Sequence, residues 1–106
     1  MGCVSKALSV VTGHTEVAIE DMLNYNHFEA KWSKFLLDRG FKRVDIKAIP
    51  YKPRMTVEEL AKVVNKNQLV VARCACHILA IKENKIYDDE RIYDKCVYYY
   101  YVKEVK

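Results

Sequence analysis

A chain of 106 residues, 51% hydrophobic and 30% charged, with few glycines and prolines, can build one core, and its composition excludes a disordered or low-complexity protein. No apolar run approaches the roughly 18 residues of a membrane span, and no basic segment leads into an apolar leader, so one cytoplasmic, non-membrane domain over residues 1–106 is expected. The cysteines of such a chain are expected as reduced thiols rather than a disulfide framework, and the net charge of +4 argues only weakly for an acidic partner.

The opening MGCVSKALSVVTG predicts a short helix, apolar at Cys3, Val4, Ala7, Leu8, Val10 and Val11 and ended by Gly13 in the left-handed conformation. Cys3 falls in its first turn, where free backbone N–H groups and the positive end of the helix dipole favour a thiolate. The competing reading of Cys3 is a small core residue. The Met1-Gly2 start suggests myristoylation, but that pattern asks for Ser or Thr at the sixth position and finds Lys6. Thr15 can cap a second helix to about Tyr25, with Glu16, Glu20 and Asp21 outward and Val17, Ala18, Met22 and Leu23 available for burial. A third helix has Asn26 as cap, Glu29 at N3, an apolar stripe of Phe28, Trp32, Phe35 and Leu36, and Gly40 as its stop. His27 is expected on the surface and His14 in a loop.

From Phe41 to Ile49 the alternation of Val44, Ile46 and Ala48 with Asp45 and Lys47 predicts a half-buried strand, ended by Pro50 and Pro53. Thr56 to Glu59 is a capping box, and Met55 with Leu60 is a hydrophobic staple. The fourth helix that they start should bury Leu60, Ala61, Val63 and Val64. Lys31, Lys34, Arg39, Lys42, Arg43, Lys47, Lys52 and Arg54 make the middle third basic. Such a set is usually a solvated face, and an anion, nucleotide or nucleic-acid partner there is the lesser alternative. Leu69 to Arg73 reads as a central strand. Cys74, Cys76, His77 and Cys96 raise the question of zinc, but the Cys-x-Cys spacing is shorter than paired zinc ligands use, and no metal or other cofactor is expected. Tyr98 to Tyr101 lie in a last strand, Lys95 to Lys103, and are read as structural.

The remaining stretch, RCACHILAIKENKIYDD, reads as a β-hairpin: an apolar strand opened by His77, a turn at Glu83, Asn84 and Lys85, and a short return strand to Asp88. The start of one strand lies beside the end of the next, so Asp88 can orient the His77 imidazole, with Asp89 as its neighbouring rival. The nucleophile that this pair lacks is offered by Cys3. Together CVSKALSVVTG, WSKFLLDRGF, LVVARCACHILAIKENKIYDD and KCVYYYYV resemble a group of small phage-encoded papain-like cysteine proteins. The resemblance implies an α+β, papain-like architecture, N-terminal helices packed on a C-terminal, mainly antiparallel sheet. It also implies Cys3 as nucleophile, His77 as base and Asp88 as orienting carboxylate. What such proteins act on is not something the resemblance supplies; the partner expected is a protein or peptide substrate, a host protein included.

Papain-like enzymes commonly carry an oxyanion donor before the cysteine, and only Met1 and Gly2 precede it here. His14, Asn26 and Gln68 are the substitutes to consider beside the Cys3 N–H. A non-catalytic protein on the same scaffold, binding a host defence protein or sequestering an anionic signal, is the alternative. The architecture expected is about four helices and three to five strands, with Trp32, Phe35, Leu36, Leu60, Val64, Val71 and Ile81 in one core.

Overall fold

The computed structural model describes residues 3–46, 54–75, 77–87 and 95–105. Helix α1 spans Cys3–Thr12 and buries Val4, Ala7, Leu8 and Val11, the i, i+3, i+4, i+7 spacing that puts four side chains on one face. Gly13, at φ +80°, ends it with its N–H on the Ser9 carbonyl at 3.0 Å. Thr15 caps α2 (Glu16–Met22), its hydroxyl accepting from the Ala18 N–H at 3.1 Å. This helix is shorter than expected, and its buried residues are Ile19 and the C-cap Leu23, whereas Val17 and Met22 are exposed. In so short a helix one i, i+4 pair meets the core and the other positions turn away.

Helix α3 spans Glu29–Asp38 and has Phe28, not Asn26, at its N-cap position. The Asn26 side chain instead accepts from the Phe28 N–H at 2.9 Å, an Asx turn ahead of the helix. Phe28 is therefore thrown outward, 77% exposed, and the buried stripe begins at Trp32. Gly40, at φ +89°, ends this helix as expected.

Five strands form one antiparallel sheet: β1 (Lys42–Asp45), β2 (Gln68–Cys74), β3 (His77–Lys82), β4 (Lys85–Tyr87) and β5 (Tyr99–Glu104), in the order β1-β5-β2-β3-β4. Glu83 (φ 52°) and Asn84 (φ 64°) join β3 to β4 through the two left-handed positions that a tight hairpin turn needs. Of the half-buried strand expected from Phe41 to Ile49, β1 covers Lys42–Asp45, Ile46 after it is half-buried, and 47–49 lie outside the described residues. All four residues of β1 are exposed, because it lies at the sheet edge against β5 rather than under a helix.

Both faces of the sheet are covered, so the single core expected is two. Val71, Ile78, Ala80 and Tyr101 face α1, α2 and α3, and with them lie Trp32, Phe35 and Leu36. Val70, Ala72, Cys74, Leu79 and Ile81 face the other way, onto Val97 and α4 (Val57–Val63). The capping box of Thr56 and Glu59 starts α4, and Val57, Leu60, Ala61 and Val64 are buried while Val63 is 65% exposed. The Asn84 amide donates to the Ala61 and Val64 carbonyls at 3.0 and 2.6 Å, tying the hairpin turn to the end of α4. The fold is thus a mixed helix and antiparallel-sheet structure of the α+β kind, with the N-terminal helices on one face.

Candidate active site

The apolar face of α1 packs on β3, and this contact carries the first residue of the helix to the end of the sheet where β3 begins. A cleft of about 320 Å³ opens there. Val4, Trp32 and Ile78 supply its apolar lining. Its polar lining is Cys3, His27, Glu29, Arg73 and His77.

Cys3 is half-buried at the N-terminal end of α1 and is a free thiol. His77 opens β3 opposite Cys74 on β2 and lines the same cleft. Register adds a further point. His77 belongs to the row of Leu79 and Ile81, which pack toward α4, whereas Ile78 and Ala80 face α1. The orienting carboxylates expected, Asp88 and Asp89, lie outside the described residues.

His27 is exposed, as expected, and it also lines the cleft. It lies between α2 and α3, with its Nε2 on the Glu20 Oε1 atom. Arg73 projects from the α1 face of β2, with its Nε 3.6 Å from Glu29 Oε1 and an Nη1 hydrogen bond to the Cys74 carbonyl. Nothing in the spacing of Glu20 and His27 announces their contact. It exists because α2 stops at Met22 and the chain reverses through Asn24 and Tyr25, both at positive φ.

Three substitutes for an oxyanion donor can now be placed. Gln68 opens β2 at the end away from the cleft and spends its amide on Glu104 at 2.7 Å. The Asn26 side-chain oxygen accepts from the Phe28 N–H, which orients the amide without using its N–H donors, and His14 is exposed beyond the far end of α1.

The chain matches no family model, no curated protein and no solved structure. Among the described residues, no group of three or more His, Cys, Asp or Glu side chains could hold a metal ion. Cys74 is buried in the α4-side core, and Cys76 lies outside the described residues. Several cations of the middle third are engaged within the fold. Arg39 stacks on Phe35 at 3.5 Å, Arg43 on Tyr99 at 3.8 Å, and Lys34 pairs with Asp38 at 2.8 Å. Arg43 is held in its charged form beyond the ordinary arginine range, first by its hydrogen bond to Asp45. Lys47 and Lys52 lie outside the described residues. No helix among the described residues is long and apolar enough to cross a membrane.

Proposed function

We propose that this protein is a thiol hydrolase or acyl transferase of papain-like architecture, acting in the cytoplasm on a peptide, isopeptide or amide bond with Cys3 as its nucleophile. One observation carries the reading: the cleft gathers a free thiol at a helix N-terminus with two imidazoles on an apolar floor. A helix N-terminus favours the thiolate, and an imidazole can take the thiol proton and return it to the leaving group. The sequence names His77, oriented by Asp88, for that role. This chemistry asks for no cofactor. A protein or peptide substrate, a host protein included, suits an open cleft.

A second reading has its own support in Tyr25 and Phe28, exposed to 69% and 77% beside the cleft residues His27 and Glu29. Exposed aromatics of that size suit a protein-binding surface, so a non-catalytic inhibitor of a host protein is the alternative. The test compares wild type with Cys3→Ala in host lysate and follows both captured and cleaved proteins. A cleaved or acyl-transferred product that disappears with the thiol supports the enzyme. Capture of the same protein by both forms, with no product from either, supports the binding protein.

A further inference from the structure

We propose that the imidazole serving Cys3 is His27, held by Glu20, rather than His77. The inference rests on the thiol reading above and concerns only which ring receives the proton. His27 and Cys3 line the same cleft, and the His27 Nε2 is joined to Glu20 Oε1. The Glu20 side chain is 14% exposed against 37% for His27, so the carboxylate is the more sheltered partner. A carboxylate on Nε2 selects the tautomer with hydrogen on that nitrogen and leaves Nδ1 as an acceptor. This is the logic of a triad, in which a base within reach of a nucleophile is held by a third group.

The ring is also placed from both sides. The Tyr25 N–H donates to the Glu20 carbonyl at 2.9 Å, and the Tyr25 hydroxyl to Asp21 Oδ1 at 2.8 Å. Beyond His27, the Phe28 N–H is held by Asn26. His77 differs in the face it starts from. Strand alternation gives its Cβ the side of Leu79 and Ile81, beneath α4, while α1 brings Cys3 over Ile78 and Ala80. Arg73 and Glu29, the other charged groups of the cleft, face each other and leave the His27–Glu20 pair intact.

In the step proposed, the Cys3 S–H bond breaks and its proton moves to His27 Nδ1. The sulfur forms a bond to the substrate acyl carbon, and the carbonyl π pair moves onto oxygen. Collapse restores the carbonyl and breaks the bond to the amine, which leaves with the proton from Nδ1. Water or an acceptor amine then attacks the thioester, gives its proton to Nδ1, and releases Cys3, whose sulfur takes that proton back.

The test is the rate of Cys3 alkylation by iodoacetamide at about pH 6, below the ordinary thiol range, read by mass spectrometry of the labelled peptides. Cys96, half-buried like Cys3, is the internal comparator. In wild type Cys3 should label at least ~10-fold faster than Cys96. His27→Ala should remove most of that advantage, Glu20→Gln part of it, and His77→Ala less than about twofold. Free imidazole should restore labelling of the His27→Ala protein, a rescue that a purely structural role would not give. His27 is exposed, so the variant should melt like wild type. A loss with His77→Ala equal to or greater than that with His27→Ala overturns the assignment and leaves the thiol reading standing. Cys3 labelling no faster than Cys96 in wild type overturns both.

Discussion

Tyr101 offers a test of how the cleft wall is held. Its side chain is wholly buried, its hydroxyl is 2.6 Å from Ser33 Oγ, and its ring meets Trp32 and Tyr99 edge to face at 5.6 and 5.9 Å. Tyr101→Phe keeps the ring, so buried area and aromatic contacts survive and the hydroxyl alone is lost. The hydroxyl also bonds the Arg43 side chain; because Ser33 is part-buried and Arg43 is exposed and keeps Asp45, both can turn to water, and the net loss stays at ~1 kcal/mol rather than the larger penalty of a buried orphan. In a domain of this size that is a fall in Tm of about 4–8 °C. Tyr101→Ala also empties the ring site and should cost ~3–5 kcal/mol. Urea unfolding can be followed by the fluorescence of the single tryptophan, Trp32, which touches Tyr101. The slope should be unchanged and the midpoint lowered. Ser33→Ala in both backgrounds completes a double-mutant cycle with a coupling of ~0.5–1.5 kcal/mol. A neutral Tyr101→Phe, or a Ser33→Ala cost identical with and without the Tyr101 hydroxyl, would refute the reasoning.

Thr56→Ala removes one half of the capping box and should cost ~0.5–2 kcal/mol by chemical denaturation, with Thr56→Ser recovering most of it. Asn84→Gly should destabilise by ~1–3 kcal/mol even though glycine suits a left-handed turn position, because two carbonyls at the end of α4 lose their donor. Greater stability in that variant would mean that the turn conformation, not the tie to α4, decides the position. Elemental analysis after dialysis against chelator should find zinc well below one atom per chain; stoichiometric zinc would return Cys74 and Cys96 to the list of ligands.

What was legible in the sequence is what is local. The caps at Thr15 and Thr56, the stops at Gly13 and Gly40, and the hairpin from His77 through Glu83 and Asn84 all depend on residues within a turn or two of one another. Periodicity alone does not say where a helix begins, so Phe28 passed for a core residue when an Asx turn at Asn26 had already turned it outward. Alternation likewise announces two faces of a strand, not what covers them. The exposure of β1 depends on its pairing with a strand as distant as Val102, and the second core on α4 crossing beneath β2 and β3. Of the cleft, Cys3 and His77 could be brought together by a helix and a hairpin that the sequence defines. Glu20 and His27 could not, since their contact follows from an early end to α2 and a reversal at Asn24 and Tyr25.

The position of β5 bears on how the protein can be made. It is the last of the described strands in the chain, yet it lies between β1 and β2 in the sheet. While a ribosome is still short of Tyr99, β1 lacks β5, β2 lacks the same strand on one side, and Trp32 lacks the tyrosine against which it packs. The α1 and hairpin segments can gather beforehand, but the wall of the cleft built on Trp32 waits for β5. A nascent or truncated product ending before β5 should thus be both aggregation-prone, through its open strand edge, and chemically silent.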